Sequence, residues 1–384
     1  MIGSWPLILA LWGAGLGAAM QYAKISVIYD LLGSAYPDGG AGLGWMVSMV
    51  GGIGIVLGVV AAMLVARIRY RRALLGALWL GAAVSLGQAL LPPLPAMLAL
   101  RLIEGISHLA IVVAAPTLIA QIATDRQRGL ALTLWGTFFG VAFAVMAWGG
   151  RPLAINVGIP ALFGLHAVYM AGFALYLSPR LRSLPDEGVV PEFSLRTVLA
   201  THIAIYRSPY INAPAIGWLF YTFCYVATLT VLPPYLDPSI RSLVMGTMPL
   251  VSIAVSMTIG VAMLRRIPAV QVVIMGFGLA ALSMLWLWVT PAGALACMGL
   301  AVAVGLIQGA SFAAVPQLNA TPQAQAQANG AMAQMGNLGN TLGTPVMAMA
   351  LAGWGYVSLP VLAGMAFLLA MILHVALAGL RRKS

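Results

Sequence analysis

The chain reads as a succession of apolar stretches separated by short polar breaks. A helix needs about 20 mostly apolar residues to cross ~30 Å of hydrocarbon. Runs of about that length occupy residues 7–32, 43–66, 73–91, 97–123, 129–149 and 159–177. A second set follows at 211–236, 243–264, 270–289, 294–315, 329–353 and 357–380. Between the sets, residues 178–209 gather three acids, four arginines and Pro179, Pro185 and Pro191 as helix breakers. The pattern predicts an all-α membrane protein with twelve transmembrane helices. Its expected parts are an N-terminal six-helix bundle at 1–177, a cytoplasmic linker at 178–209 and a C-terminal six-helix bundle at 210–384.

Composition excludes a soluble domain. The chain is 62% hydrophobic and 7% charged, whereas a surface facing water carries ~25% charged residues. Its 43 glycines and 23 prolines suit membrane helices, where Gly permits close packing and neighbours re-satisfy backbone groups freed by Pro. Cys224 and Cys297 both lie in apolar runs, so neither a disulfide framework nor a metal site is expected. No Walker loop, dinucleotide fingerprint or nucleophile elbow occurs in a suitable context. The reading is therefore not an enzyme, and it has no cofactor.

A formal charge of +11 would suggest nucleic acid in a soluble protein, but its placement points to membrane topology. With the N-terminus in the cytoplasm, every Lys and Arg faces inward except Arg151 and Arg241 outside and Lys24 and Arg101 within spans. That asymmetry predicts a multi-pass protein of a bacterial inner membrane with both termini cytoplasmic. The first span lacks the basic start and cleavage pattern of a signal peptide and is expected to be retained.

The halves echo each other about 200 residues apart, as two parallel bundles would require. Leu102-Ile103-Glu104-Gly105 is matched by Leu306-Ile307-Gln308-Gly309, and Pro116-Thr117-Leu118 by Pro316-Gln317-Leu318. Arg67-Ile68 is matched by Arg266-Ile267, and residues 129–136 by 329–336.

The run Arg101-Leu102-Ile103-Glu104-Gly105, then Ala115-Pro116, then Asp125 to Gly136 resembles the fourth-to-fifth-helix signature of the major facilitator superfamily. The resemblance implies two six-helix bundles flanking a central cavity that opens to alternate sides. The loop Ala66-Arg67-Ile68-Arg69-Tyr70-Arg71-Arg72 is similar to the family's basic loop, with Ala66 where Asp is usual and Arg69 where Gly is usual. Many drug-proton antiporters of the family carry a Gly-Pro pair in the fifth helix. Met146 and Ala147 stand there in this chain.

Ionisable groups in hydrocarbon cost at least ~2.5 kcal/mol each and must be paired or wet. Lys24, Arg101 and Glu104 are thus the first candidates. Arg101, Glu104 and His108 share one helical stripe, and at ~1.5 Å per residue Lys24 and Glu104 reach similar depths. Glu104, Arg101, Lys24 and His108 are the expected proton-coupling residues. The alternative is a permanent ion pair joining the first and fourth helices.

Residues 267–380 contain no Asp, Glu, Lys or Arg, so the C-terminal bundle is expected to recognise solute through neutral groups. Trp218, Tyr221, Tyr225 and Thr228 share a face of the seventh span, Gln308 and Ser311 one of the tenth, and Gln334, Asn337 and Thr341 one of the eleventh. With Gln21, the residues Tyr221, Tyr225, Gln308, Ser311, Gln334 and Asn337 are the expected substrate-binding set, and Gln21 and Lys24 are expected to face a cavity. Helix packing is the competing account of the aromatic residues.

The expected function is alternating-access transport of a small organic solute by a monomer, coupled to protons. Absence of the Gly-Pro pair tilts the reading toward uptake of a metabolite, a vitamin such as riboflavin, or a siderophore-like compound. Efflux of amphipathic compounds is the runner-up. A non-transporting sensor or assembly factor on a transporter fold is the alternative of another class, and would bind ligand without flux.

Overall fold

The computed structural model describes residues 4–58, 60–182 and 202–382. These residues fold into helices and connecting turns, with no strand among them. In the first half, α1 is Ser4–Ser26 and α3 is Tyr70–Ala89. α4 is Leu94–Ile122 and α6 is Ile159–Arg180. Segment α2 is broken into Leu43–Ser48, Gly52–Leu57 and Ala61–Ile68, and α5 into Asp125–Trp135, Phe138–Val145 and Arg151–Asn156. In the second half, α7 is Asn212–Val231, α8 is Arg241–Val255 continued by Val261–Leu264, and α9 is Ala269–Val289. α10 is Ala294–Leu318, α11 is Pro322–Trp354 and α12 is Ser358–Arg381.

Ten of these segments are long and apolar enough to cross a membrane. α3 and α11 complete the twelve by length. α3 opens on Arg71 and Arg72, and α11 carries a row of glutamines and asparagines. Both therefore fall short on hydropathy rather than on reach.

The chain divides into two compact units, Met1–Glu192 and Phe193–Ser384. Of the expected linker, residues 183–201 lie outside the described residues, and 202–207 are helical. In the first unit α1 packs on α4, α5 and α6, and α3 packs on α4 and α6. Leu11, Leu74, Ile111, Ile119 and Leu177 fill one half of its interior. The polar residues of α1, α3, α4 and α6 fall in the other half.

In the second unit α7 packs chiefly on α11, α9 on α10 and α12, and α8 on α10. The α7–α11 approach needs glycine. A Cβ on Gly339 or Gly343 would lie 2.4 Å from the Leu219 carbonyl oxygen or 2.1 Å from that of Phe223. The glycine face of α11 thus lies against α7, and its amide face points the opposite way.

Two expected spans are corrected. The second is not one continuous helix: Met49–Gly51 forms a tight turn inside it. There the Arg101 side chain donates to the Met46 and Val47 carbonyls, at 2.5 and 3.3 Å, drawing acceptors that a continuous helix would use for itself. The fifth does not stop at 149. A wide turn at Met146–Gly150 leads into Arg151–Asn156, so Arg151, expected in a loop, is helical and mostly buried.

The repeat is visible in the backbone. α4 and α10 begin at Leu94 and Ala294 and contain Pro116 and Pro316. Each follows a non-glycine residue with positive φ, Leu91 at 47° and Ala292 at 51°. Gly105 and Gly305 make equivalent close approaches, to the Val50 and Ser252 carbonyl oxygens. In this register the Leu-Ile-Gln-Gly echo at 306–309 lies one helical turn beyond Leu102–Gly105.

Candidate functional site

The first unit holds a cluster of charged side chains with no exposed surface. Lys24 of α1 and Arg101 and Glu104 of α4 are each 0% accessible. Their helices are apolar over full spanning length, so the charges can be retained only by satisfying one another. Lys24 Nζ donates to Glu104 Oε1 at 2.6 Å and to Ser85 Oγ of α3 at 2.7 Å. Arg101 Nη1 pairs with Glu104 Oε2, and Gln88 Nε2 donates to the same oxygen at 2.8 Å. Both carboxylate oxygens are therefore engaged, one by Lys24 and the other by Arg101 and Gln88.

His166 of α6 closes the cluster. Its Nε2 lies 2.9 Å from the Gly17 carbonyl oxygen, and because a carbonyl can only accept, that nitrogen carries the hydrogen. Nδ1 is then a bare acceptor in the neutral ring. It faces Ser85 Oγ at 2.7 Å and Lys24 Nζ at 3.2 Å. The Phe163 ring lies 5.4 Å from Nζ, a weak cation–π contact.

The structure brings Lys24, Arg101 and Glu104 together and leaves His108 apart. His108 Nδ1 bonds the Ala18 carbonyl at 3.0 Å, and its ring meets the Tyr22 ring edge-on at 5.1 Å. Sharing a stripe with Glu104 was not enough, because the bundle interior opposite His108 offers a backbone acceptor. Gln21 is also corrected. It does not face a cavity but is wholly buried, donating to Ser107 Oγ at 2.9 Å, and Lys24 is equally enclosed. Sequence reasoning missed Ser85, Gln88 and His166 as partners. The available signal was that Ser85 and Gln88 stand together, one helical turn apart, in an otherwise apolar stretch of α3, and that His166 interrupts the apolar run of α6.

The second unit has no Asp, Glu, Lys or Arg from 267 to 380, and its candidate residues are neutral. Trp218, Tyr221 and Tyr225 stack along α7 with centroids 4.5 and 5.3 Å apart and nearly parallel planes, and Phe312 meets Trp218 edge-on at 4.9 Å. Tyr221, inside the stack, is buried, and Trp218 and Tyr225 are half-buried. Gln308 is half-buried, and the Ser311 hydroxyl is buried with no hydrogen-bond partner among the described residues. On α11, Gln334 accepts from Tyr206 Oη at 2.6 Å, and Asn337 donates to the Ala333 carbonyl of its own helix at 2.8 Å. The Thr341 and Thr344 hydroxyls on that amide face are buried and unpartnered.

The sequence profile described as Major Facilitator Superfamily matches residues 7–344. The chain belongs to the major facilitator superfamily. Two solved superfamily transporters share its fold. One is the human organic anion transporter MFSD10 (TETRAN), 16% identical, with a TM-score of 0.70 over 97% of this chain and 100% of that one. The other is a bacterial homologue of the human lysosomal transporter Spinster, solved inward-facing and unoccupied. It is 12% identical, with a TM-score of 0.73 over 99% of this chain and 96% of that one. No curated protein matches the sequence. Membership of this family makes the chain a multi-pass membrane protein of the transporter class.

Proposed function

We propose that the protein moves a small organic solute across a bacterial inner membrane by alternating access, driven by protons, with both termini in the cytoplasm. The observation that carries the coupling is the buried cluster: two cations share one carboxylate inside spanning helices. A merely structural cross-link would need one cation. Breaking a buried pair leaves an uncompensated charge that costs about 3–5 kcal/mol, so the cluster resists simplification while still carrying an unbalanced charge. Solute recognition falls to neutral side chains of the second unit. The aromatic stack of Trp218, Tyr221 and Tyr225 and the unpartnered hydroxyls of Ser311, Thr341 and Thr344 suit a partly aromatic solute with hydrogen-bonding groups.

Uptake of a metabolite, vitamin or siderophore-like compound is the favoured direction. Efflux of an amphipathic compound is the second reading, and one observation favours it. α5 carries a wide turn at Met146–Gly150, where drug-proton antiporters of the family bear the Gly-Pro pair, so a distortion arises there by other means. Flux into proteoliposomes under an imposed pH gradient tests both. A solute should accumulate in the wild type and only equilibrate in Lys24→Met, in which Arg101 and Glu104 still balance. Unchanged accumulation in that variant would move the coupling elsewhere, and saturable binding with no flux would favour a sensor.

A further inference from the structure

Around Lys24 Nζ and the Ser85 hydroxyl there is one hydrogen more than the acceptors facing them take up. A charged Lys24 has three N–H groups and Ser85 one O–H. Facing these four hydrogens are Glu104 Oε1 at 2.6 Å from Nζ, Ser85 Oγ at 2.7 Å, and the single lone pair of His166 Nδ1. That lone pair is contested by Lys24 at 3.2 Å and Ser85 at 2.7 Å. The surplus N–H is left with the Phe163 ring 5.4 Å away. Charge gives the same count. Lys24 and Arg101 bring two positive charges, Glu104 brings one negative, and His166 is neutral while its Nε2–H serves Gly17. One proton removed from Lys24 settles both accounts: two N–H groups serve Glu104 and Ser85, the Ser85 hydroxyl serves His166, and Arg101 and Glu104 cancel.

We propose that Lys24 carries the exchangeable proton of this site, and that Ser85 and His166 are the positioning residues that hold and relay it, with Glu104 remaining a fixed anion. The proposal rests on the proton-coupled reading above and names the group that couples. Every other group around Nζ argues for Lys24 as the carrier. From α4, Arg101 and Glu104 form a pair of their own, and His108 is turned to the Ala18 carbonyl. From α3, Gln88 donates to Glu104 and reinforces its anionic form, while its own Oε1 is buried without a hydrogen-bond partner among the described residues, Nζ included. On α1, the Tyr22 hydroxyl is buried without a hydrogen-bond partner among the described residues, and Gln21 is turned to Ser107. From α6, Phe163 offers only its ring face.

In the relay, the Ser85 hydroxyl takes a proton from Nζ as it gives its own to Nδ1. An amine and an imidazolium result with total charge unchanged, and the imidazolium discharges to water. His166 is 1% exposed, so this last transfer requires the bundle to open.

The chain has two lysines, Lys24 and Lys383. In Lys383→Arg protein with nitrogen-15-labelled lysine, one ammonium signal therefore reports Lys24 without any transport assay. The expected result is a single protonation step of that signal, within the pH range over which circular dichroism shows the helices intact. Ser85→Ala and His166→Gln should each move the midpoint by about a factor of ten in proton affinity, and Ser85→Thr should restore it. A signal that stays an ammonium throughout, or a midpoint unmoved in folded Ser85→Ala and His166→Gln protein, overturns the proposal. A titrating Lys24 in a protein without gradient-driven flux would instead remove the coupled-transport reading and leave this assignment standing.

Discussion

Arg69 sits at φ 76° and ψ 128° in the turn between α2 and α3, a region that suits glycine because a Cβ there crowds the backbone. The turn keeps the shape that the family's usual glycine supplies while carrying an arginine. Strain of this kind costs about 1–3 kcal/mol, partly offset in a glycine variant by the greater freedom of its unfolded chain. Arg69→Gly should therefore raise thermal stability in detergent by about 1 kcal/mol; no change would mean that contacts of the arginine already balance the strain. Arg101 should be intolerant for the opposite reason. It serves Glu104 and two α2 carbonyls at once, which one ammonium cannot match. Arg101→Lys should cost at least about 2 kcal/mol, read as a lowered melting midpoint. Lys24, Arg101 and Glu104 were legible in the sequence because a charge in an apolar span is rare and expensive. Ser85, Gln88 and His166 were not, since a neutral polar side chain is tolerated in many spans and only the meeting of α1, α3, α4 and α6 brings Ser85 and His166 to Lys24 and Gln88 to Glu104.

The helices follow from hydropathy and length, but their breaks follow from contacts that hydropathy does not register. α2 is apolar enough to span and is nevertheless interrupted where Arg101 reaches its carbonyls. The same stretch presents the Val50 oxygen to Gly105, as α8 presents the Ser252 oxygen to Gly305, both 2.4 Å from where a Cβ would stand. The two units thus use one packing device in corresponding places. Motif echoes alone left its register a turn ambiguous, since apolar segments match easily. Gly105→Ala and Gly305→Ala should each force the paired helices apart and destabilise by about 1–3 kcal/mol. Gly172→Ala on α6, where nothing lies within 4 Å of the new Cβ, should leave the melting midpoint unchanged or slightly raised. Equal tolerance at Gly105 and Gly172 would mean that the approach of α2 to α4 is not held by the missing side chain.

Across the whole molecule, charge and neutrality are segregated. The first unit carries the buried Lys24, Arg101 and Glu104 and the bidentate Arg151–Asp30 pair, at 2.5 and 2.7 Å. The second has no Asp, Glu, Lys or Arg from 267 to 380. This division was legible from the sequence because it is a matter of where ionisable residues occur, whereas the enclosure of Gln21 and Lys24 was not, because depth along a helix does not say which way its face turns. Segregation predicts separable defects. Trp218→Ala, which removes the outer ring of the aromatic stack, should raise KM for the solute and leave the number of protons moved per solute unchanged. Lys24→Met should abolish uphill accumulation while exchange of labelled for unlabelled solute across the membrane continues. Both measurements presuppose twelve crossings, which place the two chain ends on one face of the bilayer. Reporter fusions at the two ends should therefore score alike. Opposite scores would require an odd number of crossings, and α3 and α11, whose polar residues keep them below the hydropathy of the other ten segments, would be the first to re-examine. α3 is the more informative of the two, because Ser85 and Gln88 can meet Lys24 and Glu104 only if α3 runs the full depth of the first unit.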